Sequence, residues 1–368
     1  MAESRGLGDV YKRQLETRSR KVIDASLADI KNSFIVEDFD GMFLKKYQMD
    51  LQKSGFDINV INFTKEDLRA VKYNPFVYIK NEEDAYLLAN SIIENTTVVN
   101  TDTKPDDDFW RRGDEKLLER VIAYECLTKQ NNNINFRGLI DALKDEEKIK
   151  EVIKGAQMLE SMGPKTMCSI ISNCIIRLSN LSVLDENIRY EANNVNLNSI
   201  LDNKSATFII YPADTQFYKA LTNIMYSQLY SEAVKKKEEG KEMSPLTLFI
   251  NEKSDSYKIR NLTNILFNAK NLNLRISLNI NNVESFLDKY RLGEVLSIFD
   301  QLIIFRNDMS EKTAKEIQDY ITSNFDGEIF DSYENKCIEL TTDDLKSIKE
   351  DETIFLNRAN KIALKYKI

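Results

Sequence analysis

A run of apolar residues, Leu246, Leu248, Phe249 and Ile250, closes on the pair Asn251-Glu252. The run is too short for an ordinary helix and too apolar for an exposed strand, so it predicts a central strand of a parallel sheet, covered on both faces. Open α/β sheets bind ligands at the carboxyl ends of such strands. P-loop ATPases place a magnesium-holding carboxylate and a water-activating one at that edge; here the first is an amide. A buried strand running into a polar loop accounts for the same segment without any chemistry.

The rest of the chain alternates strand and helix around that run. Residues 33–36 predict a strand, 41–54 an amphipathic helix and 56–61 a second strand, a βαβ unit. Pro75 pushes Asn74 out of helical geometry and marks a turn, and a helix follows over 82–94. After an Asp- and Thr-rich linker, residues 109–180 carry helical periodicity alone, with segments near 109–129, 135–143, 146–160 and 165–181. Strands resume at 206–211, 275–280 and 301–305, with helices at 216–237, 259–270 and 311–322 and short strands at 353–356 and 362–364. This order predicts an α/β fold: a doubly wound parallel sheet interrupted by an inserted all-α block. Within that block Trp110 is expected to anchor the core and Cys168 and Cys174 to pack; outside it, the charge run 235–242 is expected to be a solvated helix end.

Composition removes whole classes of function. The chain contains no histidine, which excludes Ser-His-Asp and Cys-His catalysis and histidine-ligated zinc. Its 4 cysteines form no Cys-x-x-Cys pair, so neither a disulfide framework nor a zinc knuckle is indicated. A net charge of -8 offers no overall attraction for nucleic acid or anionic membranes. No apolar run approaches the ~18 residues of a membrane span.

In this order of elements several strings resemble one family. NSFIVEDFDG stands where the family writes a strand followed by Asp-Pro-Lys-Gly-Glu; YNPFVYI with EEDAYLLANSIIENTT matches the next block, and DDDFW the start of an all-α domain. GPKTMCSIISNCIIRL, ATFIIYPADTQFYKALTNIMYSQLY, LFINEKSD, RISLNINNVESF, IIFRND and ELTTDDL follow colinearly. From about Asn32 onward the chain is identified as a member of the TraG/TraD-like coupling proteins of type IV secretion, the conjugative-transfer ATPases, of Gram-positive type. The resemblance implies a RecA-like P-loop NTPase-type parallel sheet domain with an inserted all-α domain. Its expected bounds are residues 15–100 and 191–368 for the sheet domain and 101–190 for the insertion, with 1–14, containing GLGDVYKRQ, a non-native leader.

The resemblance also implies ATP and Mg2+ as cofactors, a homo-oligomeric ring, relaxase and relaxosome proteins and secretion-channel ATPases as partners, and a place at the cytoplasmic face of the membrane through an amino-terminal anchor missing here. The site residues it implies depart from the family pattern. A P-loop needs glycines, a Lys and a Ser/Thr; residues 15–22 keep Lys21 for the phosphates but put Leu15 and Arg20 at the glycines and Val22 at the hydroxyl. Asn251 takes the magnesium position and could act only through a metal-bound water, while Glu252 keeps the general-base position. The γ-phosphate-sensing Gln aligns with Asn281, with Asn282 beside it, and the family's basic pair with Lys270 and Leu272.

These changes predict a diverged coupling-protein homologue that links DNA-processing cargo to the channel with impaired ATP hydrolysis. The alternative is a fragment of an active DNA-translocating ATPase whose P-loop lies in upstream sequence. Asn251 discriminates, because truncation cannot explain a substitution far downstream. Mixed charge along the helical block disfavours DNA and suits a protein partner.

Overall fold

The computed structural model describes residues 19–63, 71–96, 105–128, 134–185, 195–210, 216–252, 258–280, 282–290, 296–305, 309–349 and 351–367. Contacts divide the chain into two compact units, one of Ile30–Ile250 and Asp255–Ser277, the other of Met1–Asp29, Asn251–Ser254 and Leu278–Ile368. Residues 19–28 form helix α1 of the second of these.

The first unit is built on strand β1, Ser33–Glu37, in which every residue is buried. Helix α2 (Met42–Lys53) leads to β2 (Asp57–Asn62), and helix α3 (Glu82–Glu94) follows a 3-10 turn at Pro75–Tyr78. Both turn and helix start at capped ends: the Asn74 side chain accepts from Phe76 N, and the Asn81 side chain from Asp84 N, with three acids in the first turn of α3. The helical block then runs through α4 (Pro105–Ala123), a π turn at Tyr124–Thr128, α5 (Phe136–Lys144), α6 (Glu146–Ile153), α7 (Gln157–Glu160) and α8 (Pro164–Ser182). The single helix expected over 146–160 is two, because Gly155 sits at φ 81, a conformation no helix interior accepts. Pro164 opens α8, where a missing N–H costs nothing.

After α9 (Leu197–Asp202) the chain returns as β3 (Ser205–Ile210), α10 (Gln216–Glu238), β4 (Leu246–Glu252), α11 (Leu262–Asn268) and β5 (Leu274–Ile280). The sheet order is β2-β3-β1-β4-β5. Strand β1 pairs in parallel with β3 (Val36 opposite Phe208) and with β4 (Val36 opposite Phe249), so the Leu246 run is an inner strand of the sheet, as expected. Phe34 stacks edge-on against Phe208 and Phe249, with ring centroids 5.5 and 6.4 Å apart. The helical block lies in sequence between β2 and β3, as an insertion into an α/β sheet should.

The second unit departs from the doubly wound sheet expected of residues 301–367. After α12 (Val283–Tyr290), β6 (Gln301–Phe305) and α13 (Glu311–Phe325), it continues as β7 (Glu328–Asp331), β8 (Lys336–Glu339), α14 (Thr342–Lys346), β9 (Glu352–Asn357) and β10 (Ile362–Lys367). The strand order is β6-β9-β10-β7-β8, with β9 antiparallel to β6 and β10, and β7 antiparallel to β8. Loop length decides this. The β7–β8 and β9–β10 connections are tight turns, through Asn335 and Lys361 at positive φ, and a parallel crossover needs a dozen residues or more. Ile304, Ile354 and Leu356 pack against Ile317, Ile321 and Phe325 of α13 to form this unit's core.

Three expectations about single residues change. Trp110 is only half-buried, set edge-on to exposed Phe109 at 5.5 Å, and the block's core is instead Leu117, Val121, Phe136 and Ile170. Within the charge run, Lys235 pairs with Asp84 of α3 at 2.6 Å and Lys236 with Asp202 of α9 at 2.8 Å, so these lysines tie elements together. Cys174 packs in the core as expected, but Cys168 on the same helix is exposed. Burial pushes the Cys126 thiol up to about 12, with Glu125 adding to the effect, and raises Cys174 as well. At pH 8 iodoacetamide is therefore expected to label Cys168 and Cys337, both exposed, and to spare Cys126 and Cys174 in the native protein. Peptide mass spectrometry reads this directly, and labelling of Cys126 as fast as Cys337 would contradict it.

Candidate functional site

Strand β4 ends on the pair singled out from sequence. Asn251 is half-buried, and its Oδ1 accepts a hydrogen bond from Asn279 Nδ2 of β5 at 2.5 Å. Glu252 is buried, and one of its oxygens, Oε1, is held twice. Lys289 Nζ makes an ion pair with it, and Tyr290 OH donates to it at 2.9 Å. The other oxygen, Oε2, is buried without a partner among the described residues.

Lysine and tyrosine reach the carboxylate from the last turn of α12. That helix is fixed at its start by Asn282, whose Oδ1 accepts from Ser285 N at 2.8 Å, and by Glu284, which Ser310 Oγ hydrogen-bonds. Asn282, expected near the nucleotide, thus serves as a helix cap. A like arrangement ends β1 in the first unit. Lys219 Nζ donates to both oxygens of Glu37, at 2.7 and 3.0 Å, and Tyr226 OH lies 3.3 Å from Oε1. Beside it Asp38 receives the N–H groups of Phe43 and Leu44 at 3.2 and 2.9 Å, capping α2. Burial raises the Asp38 carboxyl above its usual range, against the lowering effect of those N–H groups.

The remaining expected site residues fall in both units. Lys21 is exposed on α1, in the second unit. Lys270 is exposed in a 3-10 turn after α11, in the first unit, followed by the buried Leu272. Asn281 lies outside the described residues. Lys289, Tyr290, Glu37, Lys219 and Tyr226 were missed from sequence. A signal for two of them was present: Lys219, Asn223 and Tyr226 recur at helical spacing on the buried face of α10, where a structural role for polar side chains demands partners.

The residues at the end of β4 do not fit a magnesium ion. The metal position carries an uncharged amide whose oxygen is bonded to Asn279, and the adjacent carboxylate is already neutralised by an ammonium. Magnesium at such sites is held by one or two carboxylates together with substrate phosphates and waters, and here, among the described residues, no uncompensated carboxylate stands at the end of β4. Among the described residues, no group of three or more acidic or cysteine side chains converges to hold a metal. Glu252 Oε2 does fit a water molecule, being a buried acceptor without a donor.

The type IV secretory system conjugative DNA-transfer family matches residues 22–318. The chain belongs to that family. Comparison with curated protein sequences finds no match. Similar solved structures include the plasmid coupling protein TrwB with ADP and Mg2+, at TM-score 0.68 and 16% identity over 95% of this chain and 80% of that one. TrwB with the ATP analogue ADPNP matches at TM-score 0.67 and 16% identity, covering 91% of this chain and 78% of that one. Unbound bacterial TrwBdeltaN70 matches at 0.65 and 16%, over 92% and 78%. At this identity the likeness establishes the fold: a RecA-like, P-loop NTPase-type parallel sheet with an all-α insertion. No described helix of this coupling-protein homologue is long and apolar enough to cross a membrane.

Proposed function

We propose that this chain is a diverged coupling protein that links DNA-processing cargo to a type IV secretion channel and hydrolyses ATP poorly. One observation carries the reading: Glu252, at the general-base position, is ion-paired to Lys289 beside an amide, Asn251, at the magnesium position. Chemistry at such an edge depends on charge placed against the transferring phosphoryl group, and here the charges cancel internally. Lys21, Asn281, Asn282 and Lys270 complete the diverged nucleotide site in this proposal, with ATP and Mg2+ bound weakly. A ring assembly, a position at the cytoplasmic membrane face and partners among relaxosome proteins and channel ATPases belong to the same reading, as does the division into a sheet domain of residues 15–100 and 191–368 and an insertion of 101–190.

Pairing within the helical block supports a protein cargo over DNA. Arg111 pairs with Glu115, Arg112 with Asp108, Lys116 with Glu119 and Lys148 with Glu125, at 2.7–3.2 Å. Cations neutralised by their neighbours release few counterions from a phosphate backbone.

Phosphate release by the full chain at millimolar ATP and Mg2+ tests the reading. The expected rate lies at least about 100-fold below the roughly 10 s-1 typical of enzymes. Turnover at motor-like rates that Glu252→Gln abolishes would establish the alternative, an active translocating ATPase completed by sequence outside this chain, which the unpartnered Glu252 Oε2 favours.

A further inference from the structure

The disagreement between this site and magnesium has a structural cause in one residue. We propose that Lys289 is a built-in counter-cation that takes over, from within the chain, the electrostatic role of the divalent ion at the end of β4. The inference rests on the hydrolysis-impaired reading above and extends it to a residue outside the family motifs quoted above.

Three observations converge on Lys289. Its ammonium touches Glu252 Oε1, and both side chains are withdrawn from water, 12% and 1% exposed. A carboxylate so buried costs several kcal/mol unless compensated, and the adjacent Asn251 can contribute only a neutral dipole. Secondly, the lysine is presented by an ordered element, since α12 is pinned through the Asn282 cap and the Ser310 to Glu284 hydrogen bond. Tyr290, the next residue, fills the other direction of the same oxygen at 2.9 Å. Thirdly, a lysine with a tyrosine recurs at a second strand end: Glu37, ending β1, is held by Lys219 on both oxygens and by Tyr226 on one. Each of these two strand-end carboxylates is thus balanced by a lysine from a helix of its own unit. An ammonium cannot leave the protein as a hydrated metal can, so Glu252 is permanently compensated and gains little from a divalent ion.

Manganese binding to the full chain without nucleotide, read by electron paramagnetic resonance, tests this. Wild type is expected to bind no Mn2+ at 1:1 stoichiometry below about 1 mM, the weak end of the range for natural calcium-binding modules. Lys289→Met is expected to gain such a site, and Lys289→Met with Glu252→Gln to lose it again. Because Lys289→Met could unfold the second unit, a near-isosteric pair provides a separate readout: Asn251→Asp with Lys289→Gln is expected to bind Mn2+ at least tenfold more tightly than Asn251→Asp alone. No gain in folded Lys289→Met, or equal affinity in the two Asn251→Asp proteins, would overturn the assignment. Slow phosphate release by wild type with no Mn2+ gain would discard Lys289 and keep the functional reading, whereas fast release would discard the reading whatever the Mn2+ result.

Discussion

Lys219→Met is expected to destabilise the sheet unit by about 3–5 kcal/mol, the cost of stranding a buried charge. Glu37 is 2% exposed at the end of the innermost strand, and Lys219 donates to both of its oxygens. Tyr226 OH, at 3.3 Å, can donate one hydrogen bond but no charge. The double variant Glu37→Gln/Lys219→Met is expected to recover most of the loss, because replacing both members of a buried pair removes the desolvation cost with the attraction. A control in solvent sets the scale: Lys53→Met, which breaks a 3.6 Å pair with Asp50 whose side chains are 73% and 79% exposed, should stay within about 0.5 kcal/mol. Urea midpoints followed by the fluorescence of the single tryptophan measure all three. A Lys219→Met midpoint equal to that of Lys53→Met would show that water reaches Glu37.

The fold was legible wherever burial imposed one period on the sequence. Strand β1 is buried throughout and apolar at Phe34, Ile35 and Val36 because both its faces are covered, and α3 falls at 82–94 as expected because an Asn cap and three acids mark its start. Legibility failed where elements are short and half-exposed. Strand β8 reads Lys-Cys-Ile-Glu and is mostly exposed, and α12 has only 8 residues. Both lie in the second unit, whose short turns made an antiparallel-rich sheet out of what looked like further parallel strands.

The site was legible by half for a related reason. Asn251 and Glu252 are visible because a strand end is a local pattern, and their chemistry can be inferred from residue type alone. Their partners are not local: Lys289 and Tyr290 lie 37 and 38 positions along the chain from Glu252. A lysine in the last turn of a short helix is ordinarily a solvated residue complementing the helix dipole. Only the packing of α12 turns it inward. The same holds for Lys235 and Lys236, which composition presents as a solvated charge run and which the fold uses as ties to Asp84 and Asp202.

Arg177→Leu is expected to cost about 3–5 kcal/mol at pH 7, and less as the pH falls. Arg177 of α8 donates Nε to Asp114 of α4 at 3.1 Å, and Asp114 is 1% exposed, so the pair clamps two helices of the inserted block through its interior. Burial raises the Asp114 carboxyl above its ordinary value of 3.8, and Arg177 is the chief influence lowering it. A carboxyl whose folded value exceeds the unfolded one binds its proton more tightly in the native state. Its contribution to stability is therefore fully present below about pH 3.8 and is lost as pH rises through the folded value. Removing Arg177 lifts the folded value further and widens that window upward. The stranded carboxylate can then relieve its cost by taking a proton, which explains the smaller penalty in acid. Asp114→Asn, having nothing to titrate, is expected to show a stability difference from wild type that shifts in favour of the variant as pH rises from 4 to 7. Paired urea titrations of wild type, Arg177→Leu and Asp114→Asn at these two pH values decide the matter. A penalty for Arg177→Leu that is the same at both would mean that Asp114 does not sense its arginine through charge, and that the side chain acts at this helix contact by packing alone.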